Sequence, residues 1–302
     1  MDQKEKTVLR TLAWFSLFDY PLSMFELWKW QLQDGSPLPF HELRLAARNL
    51  AHTGVLREEY GLVCLAEKAH QFTVREERFV DAIKKQRRVR LALAYLKHVP
   101  WVRGIAVCNT LAWMHTKKTS DIDLFVIVRS GTIWLTRLLC VLPFSLLRLR
   151  PGQTQVSPLC FSFFLSDTNL DLSSLRVDER DIYLAYWVRS IRPLLDRDGV
   201  FETFARANAW ASRDLPCAWG SGLDPRGVRD VHETGLPILR GLERLARRLQ
   251  EKKFPAVITQ LANRDTRVVV SDAMLKFHVE DRRERFQHEY QTLCRSLGIA
   301  SH

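Results

Sequence analysis

The sequence predicts an α+β fold in three parts, and three observations carry that prediction. Residues 1–65 set three helix-spaced apolar segments ahead of two short strand-like runs. After Pro100 the pattern changes to short apolar and β-branched runs alternating with one long hydrophobic helix. From residue 216 onward the chain returns to helix-spaced leucines set among arginines. The expected parts are 1–75, 76–215 and 216–302, a division that suits a chain of 302 residues.

In residues 5–18, Val8, Leu12, Phe15 and Phe18 recur at helical spacing, and Asp19-Tyr20-Pro21 ends the helix. Ser23 is an N-cap for a second helix over 24–33, with Glu26 completing a capping box. Residues 34–37 form a turn, and a third helix over 41–53 turns Leu43, Ala46, Ala47 and Leu50 inward before Gly54 stops it. Residues 55–65 make two strands about Glu59-Tyr60-Gly61. Three helices followed by a β-hairpin is the order of a winged helix-turn-helix. A DNA reader draws much of its affinity from phosphate neutralisation, yet residues 1–75 hold 9 Lys and Arg against 9 Asp and Glu. The candidate recognition helix offers His41, Arg44 and Arg48, but Glu42 lies beside them and the hairpin carries Glu58 and Glu59. Scaffolding or protein contact is therefore expected ahead of DNA binding. The aromatic set Trp14, Phe15, Phe18, Tyr20, Phe25, Trp28 and Trp30 exceeds what one small core needs, which points to packing on a neighbouring domain or a protein partner.

Residues 76–98 predict a basic bridging helix whose run Lys84-Lys85-Gln86-Arg87-Arg88 is read as a solvated face or the side of a polyanion path. Strands follow over 102–108, 122–128 and 158–165, with a polar turn and helix start over 109–120 and a hydrophobic helix over 131–149. Residues 132–147 are very apolar, but Arg137 interrupts them, Pro143 kinks them, and they fall short of the roughly 20 residues a bilayer needs. A buried helix, with no transmembrane segment, is expected, and membrane association through this helix is the lesser alternative. Helices are predicted over 178–196 and 201–210, a linker over 211–226, and a basic amphipathic helix over 236–253 that sets Leu239, Leu242, Leu245 and Leu249 against Arg240, Arg244, Arg247 and Arg248. A last helix spans 278–297.

The net charge of +11 accumulates after residue 75, which suits a polyanionic ligand near the later parts. Cys64, Cys108, Cys140, Cys160, Cys217 and Cys294 show no CxxC spacing and mostly neighbour apolar residues. They read as buried thiols of a cytoplasmic protein, and the polar residues 1–6 lack a signal-peptide core.

Asp121 and Asp123 stand at i and i+2 in an otherwise apolar, β-branched run. On a strand this spacing puts both carboxylates on one face, one pleat apart. Two acids pointing together repel and are costly to desolvate, and a divalent cation relieves both; Mg²⁺ takes one or two carboxylates plus phosphate oxygens. The bland alternative is a strand end with two solvated acids. Thr110 and Ser120 offer hydroxyls, and Lys117 and Lys118 offer charge to a triphosphate. His115 could touch the ligand, although a lone loop histidine is more often bland; Lys276, His278, Asp281 and Arg282 form a polar cluster that closes over the site or, equally, caps a surface helix. No Walker loop, Ser-His-Asp pattern or zinc spacing is present.

Segment 106–128 resembles the polymerase β nucleotidyltransferase superfamily, whose pattern is an apolar strand ending in Gly-Ser, a short interval, then Asp-apolar-Asp-apolar. More narrowly, the chain is similar to a bacterial group of nucleotidyltransferase domain-containing proteins. The resemblance rests on Ser120-Asp121-Ile122-Asp123-Leu124-Phe125, on Gly131 to Trp134, Phe163 to Ser166, Asn169 to Asp171 and Asn208 to Trp210, and on Ser271 to His278. It implies a central nucleotidyltransferase mixed sheet with helices and a helical C-terminal extension. It further implies Asp121 and Asp123 as catalytic, metal-holding residues for Mg²⁺ (or Mn²⁺), and Asn109, Thr110, Lys117, Lys118 and Ser120 around the nucleotide. The implied reaction moves an NMP group from an NTP to an acceptor that the sequence does not specify; the alternative is a catalytically degenerate nucleotide- or nucleic-acid-binding regulatory or scaffold protein. Two departures weigh between them. Asn109-Thr110 stands where the superfamily has Gly-Ser, and the strand expected to bring a third acid has Ser162 instead. Asp167 and Asp171 follow that strand and reach the site only if the chain folds back.

Overall fold

The computed structural model describes residues 1–33, 36–218, 227–230, 237 and 239–301. Helix α1, Gln3–Ser16, starts at an Asp2–Glu5 capping box. Strand β1 (Leu22–Ser23) leads into α2 (Met24–Lys29), where Ser23 and Glu26 make the reciprocal cap that their spacing predicts. After α3 (Phe40–His52), strands β2 (Leu56–Glu59) and β3 (Leu62–Leu65) form a hairpin. Its two turn residues, Tyr60 and Gly61, both have positive φ (53° and 74°), the conformation that lets a two-residue loop follow the strand twist. β1 joins on the other side of β3, giving an antiparallel sheet of order β1-β3-β2.

Helix α4 (Gln71–Leu96) bridges to a second, mixed sheet. Its elements are β4 (Val102–Val107), α5 (Asn109–Ala112), β5 (Ile122–Val128), α6 (Ile133–Leu146) and β6 (Leu159–Ser166). They continue as α7 (Ile182–Ser190), β7 (Arg192–Arg197), α8 (Val200–Ala207), β8 (Val228–Asp230), α9 (Arg240–Glu251), α10 (Ala256–Leu261), β9 (Val268–Val270), β10 (Met274–Phe277) and α11 (Arg283–Ser296). The strand order is β8-β7-β4-β5-β6-β10-β9, with β5–β6 and β7–β8 parallel and the other pairs antiparallel. The chain is thus α+β. Among the described residues no helix is long and apolar enough to cross a membrane.

The central strand β5 is apolar on both faces because both are covered. Phe125 and Ile127 join a core shared with α1, α7 and α8, whereas Leu124, Val126 and Val128 pack with α4, α6 and Ala246 of α9. The first core draws on every part of the chain. Trp14 stacks on Tyr186 (centroids 5.2 Å apart, planes at 7°) and meets Tyr290 edge-on, while Phe18 packs on Trp113 and Phe286. The surplus aromatics of the N-terminal residues are thus largely used inside the chain, although Phe25 stays 53% exposed.

Several expectations need correction. The helix predicted over 178–196 ends at Ser190, and Arg192–Arg197 is strand β7, paired to β4 at Ile105↔Leu195. Pro193 cannot continue a helix, and the edge of β4 supplies partners instead. The close approach of α8 to this strand pair needs Gly104, where a Cβ would stand 2.7 Å from the Phe201 ring. The helix predicted over 278–297 begins only at Arg283, since β9 and β10 form a hairpin before it. The linker and helix expected over 211–226 and 236–253 lie partly outside the described residues; the described helix there is α9. Asn208, from the Asn-x-Trp motif, is fully buried and pins the loop after β6. It accepts from the Leu172 N–H (2.9 Å) and donates to the Leu170 carbonyl (2.7 Å). Asn208→Ala strands both backbone groups away from water, and should cost about 3 kcal/mol in urea unfolding. An unchanged midpoint would refute this bracing role.

Candidate functional site

Asp123 is the second residue of β5 and shares the parity of Phe125 and Ile127, so its carboxylate turns to the face of the sheet that the N-terminal residues cover. Asp121 lies one residue ahead of the strand. Parallel pairing sets Cys160 of β6 opposite Asp123. From β4 the chain turns directly into α5 at Asn109, whose φ of 55° is left-handed, a region that asparagine enters more readily than most residues. The turn folds the Asn109 amide back to donate to Asp123 Oδ2 at 2.8 Å. Burial pushes the Asp123 carboxyl above its usual range; the Asn109 hydrogen bond opposes this, and the neighbouring Asp121 adds to it. Burial raises Asp121 as well, against the pull of Lys85.

Asp123 opens onto a cavity of about 490 Å³. Asn109, Thr110, Lys117, Ser120, Cys160 and Ser162 line it from the sheet side. Leu17, Phe18 and Asp19 close it from the end of α1, Arg78 from α4, Tyr183 and Trp187 from α7, and residues 276–283 with Phe286 from the C-terminal part. The walls therefore come from segments more than 260 residues apart in sequence.

Lys85 shapes the loop before β5. The basic run that contains it is not uniformly a solvated face, because the Lys85 side chain is fully buried, paired with Asp81 at 3.1 Å. Its ammonium donates to the Lys117 carbonyl and to both the carbonyl (2.8 Å) and hydroxyl (2.9 Å) of Ser120. A buried charge on carbonyl oxygens is sustained only when its donors are satisfied, and here all three proton directions are used. Lys85 thereby fixes Lys117 and Ser120, the two ends of the loop that carries the exposed Lys118.

The far wall holds two histidines. Burial, with Arg78 beside it, holds the His115 imidazole down at about 3. His115 Nε2 lies 3.0 Å from the Phe18 carbonyl and 2.8 Å from Arg78, while its buried Nδ1 has no partner. His278, also held at about 3 by burial and then by Lys276, meets the Ser162 hydroxyl at 3.0 Å. Arg283 donates to both oxygens of Asp281 (Nε to Oδ1 at 3.0 Å, Nη2 to Oδ2 at 2.7 Å) and reaches Asp181 at 3.0 Å. Burial pushes Asp281 up, but the Arg283 hydrogen bond and charge outweigh it and leave it below its usual range. Lys276 is driven down to about 8, chiefly by burial.

The structure thus brings Asn109, Thr110, Lys117, Ser120 and Asp123 to one cavity, together with His115, Lys276, His278, Asp281 and Arg282. Asp121 and Lys118 do not line it. Asp167 and Asp171 do not fold back. Asp167 follows the far end of β6, where its carboxylate accepts from Ser130 N–H at 2.9 Å, and Asp171 caps Ser173. The strand from Asp123 to Val128 puts roughly 17 Å between those two ends. Among the described residues, no three His, Cys, Asp or Glu side chains gather as metal ligands. Lys85, the Ser162–His278 pair and the ring wall of Phe18, Tyr183 and Phe286 were not legible as site features in the sequence. They meet only through tertiary packing. No family model, curated protein or solved structure matches the chain.

The neutral His115 makes a signed prediction. Its folded value of about 3 lies below the ordinary 6.5, so under pH 6.5 the unfolded chain binds the extra proton. Stability should therefore fall as pH drops through that window, by up to about 1.4 kcal/mol per pH unit from this group. Urea unfolding of the wild type and His115→Gln between pH 7 and pH 4.5 measures it. The stability difference between the two should shrink as pH falls, and a constant difference would count against a buried neutral imidazole.

Proposed function

We propose that the chain is a nucleotide-binding protein on the polymerase β-type nucleotidyltransferase plan, with a winged-helix-like module at its N-terminus. The observation that carries this is the convergence of Asp123, Asn109, Thr110, Lys117 and Ser120 on one cavity of about 490 Å³, a size within the ordinary range for small-molecule sites. On this reading the triphosphate lies along the turn at the start of α5, near the Thr110 hydroxyl and the Lys117 ammonium. Asn109 keeps the left-handed backbone that a glycine would adopt there, so the turn survives the loss of the glycine. Its side chain costs something nonetheless, since it occupies one lobe of the Asp123 carboxylate.

One hydrated Mg²⁺ or Mn²⁺ would take Asp123 from the cavity wall and Asp121 from just beyond it as carboxylate ligands, with phosphate and water oxygens for the rest. Two adjacent carboxyls pushed up by burial are what a bound cation would relieve. When bound there, the ion would neutralise triphosphate charge and polarise the phosphorus–oxygen bond. The protein's own groups then hold and orient the nucleotide. Among the described residues no third carboxylate gathers with Asp121 and Asp123, and Ser162 stands on β6 where one is expected, hydrogen-bonded to a neutral imidazole. Nucleotide binding is therefore favoured over rapid transfer. The second reading, transfer of an NMP group to an acceptor, is supported by the retention of Asp121 and Asp123. The N-terminal module supports protein contact ahead of DNA reading, because its outward residues include Leu45 (61% exposed) and Tyr60 (94%) beside Arg44 and Arg48.

Calorimetry with ATP and Mg²⁺ tests the reading. Binding should require the ion and weaken at least about tenfold in Asp123→Asn, the equivalent of roughly 1.4 kcal/mol. Lys118→Ala, outside the cavity wall, should bind as the wild type does. Undiminished binding by an Asp121→Ala/Asp123→Ala double variant would remove the assignment. Release of pyrophosphate from labelled NTP, lost in Asp123→Asn, would favour the transfer reading.

A further inference from the structure

Helix α9 leaves its leucines half-exposed. The side chains it buries against α6 are Ala246 and the polar Gln250, and Glu243 caps the start of α6 by accepting from Trp134 and Leu135 N–H at 2.8 Å each. Its leucines face outward: Leu239 is 44% exposed, Leu242 49%, Leu245 51% and Leu249 46%. Beside this row runs a second, Arg240, Arg244, Arg248 and Lys252 at spacing i, i+4, i+8 and i+12, all four exposed. The two acids of the helix are withdrawn from this face, Glu243 into the α6 cap and Glu251 onto Arg247 at 2.8 Å. Lys253 and Val257 extend the exposed surface past the helix end.

We propose that α9 and the turn after it are a docking face for an anionic lipid surface. A row of four cations with no acidic partner among the described residues would alone fit any polyanion. A nucleic-acid backbone, however, has no use for a parallel row of four half-exposed leucines, whereas a lipid interface takes leucines at the acyl boundary and cations at the phosphates. The rows run side by side for about 20 Å, a match to a continuous plane. Ala246, Gln250 and Glu243 hold the helix to α6, and the leucine row flanks that strip between it and the cations, so it stays half-exposed without loosening the fold. The carboxylate cavity plays no part in this proposal.

Co-sedimentation with vesicles of phosphatidylcholine, with and without phosphatidylserine, tests it on the full chain. The wild type should pellet with the phosphatidylserine vesicles and remain in solution with phosphatidylcholine alone. Arg244→Glu/Arg248→Glu and Leu245→Asn/Leu249→Asn should each reduce partitioning by about tenfold or more, with thermal unfolding unchanged because all four side chains are exposed. If a pair lowers the unfolding temperature, Arg244→Gln/Arg248→Gln serves in its place. Equal pelleting with both vesicle types, or none with either, overturns the proposal. So does undiminished binding by the leucine pair, which would mean generic anion attraction. Lipid-free self-association abolished by the leucine pair also overturns it, since a second copy would then cover the face.

Discussion

The stack of rings around Trp14 is the contact on which the rest of the site depends. Trp14 lies flat on Tyr186 of α7 and edge-on to Tyr290 of α11, so α1 is held against the same face of the sheet that carries Asp123. Each such pair contributes about 0.5–1.5 kcal/mol beyond its buried area. Tyr186 then fixes the end of α2 by donating to the Trp30 carbonyl at 2.8 Å. The stack thus brings Phe18 and Asp19 to the cavity, where Arg78 and His115 hold them. The cavity is therefore a product of how the N-terminal helices dock, not of the sheet alone.

The acid pair and its surroundings divide unevenly between binding and chemistry. Asn109 steadies Asp123 by hydrogen bonding and by a backbone turn that few other residues tolerate. Lys85 steadies the preceding loop from beneath. Across the cavity, Lys276, Asp281 and Arg283 are tied to one another, and the two histidines are neutral. A wall of this kind orients a ligand through hydrogen bonds and ring faces, and offers little proton-accepting strength.

Much of the framework was legible in the sequence because local rules and tertiary packing agree there. The spacing of Ser23 and Glu26, the Tyr60-Gly61 turn and the run over β5 all form as their residues dictate. The misses have physical causes. β7 is a strand only because the edge of β4 needs a partner, and no alternation in Arg192–Arg197 advertises it. β9 and β10 are 3 and 4 residues long, too short for periodicity to register. Lys85 was indistinguishable from its solvated neighbours, since burial of one lysine in a basic run depends on carbonyls more than 30 residues away. In α9 the alternation of leucines and arginines was visible, but not that Glu243 would cap α6 and that the leucines would stay half-exposed. The site followed the same division. Asp123, Asn109 and Thr110 share one strand–turn unit and were visible together, whereas Ser162–His278 joins residues 116 apart.

The span of the cavity walls, from Leu17 to Phe286, has a consequence for how long the folded chain survives. A ligand held there touches both ends of the polypeptide, and so acts as a cross-link that exists only while both ends are docked. At a concentration one hundred times its dissociation constant it would add about 2.7 kcal/mol against any opening that separates them. Fraying of either terminus would then be governed by ligand supply, and with it the exposure of the chain to proteases.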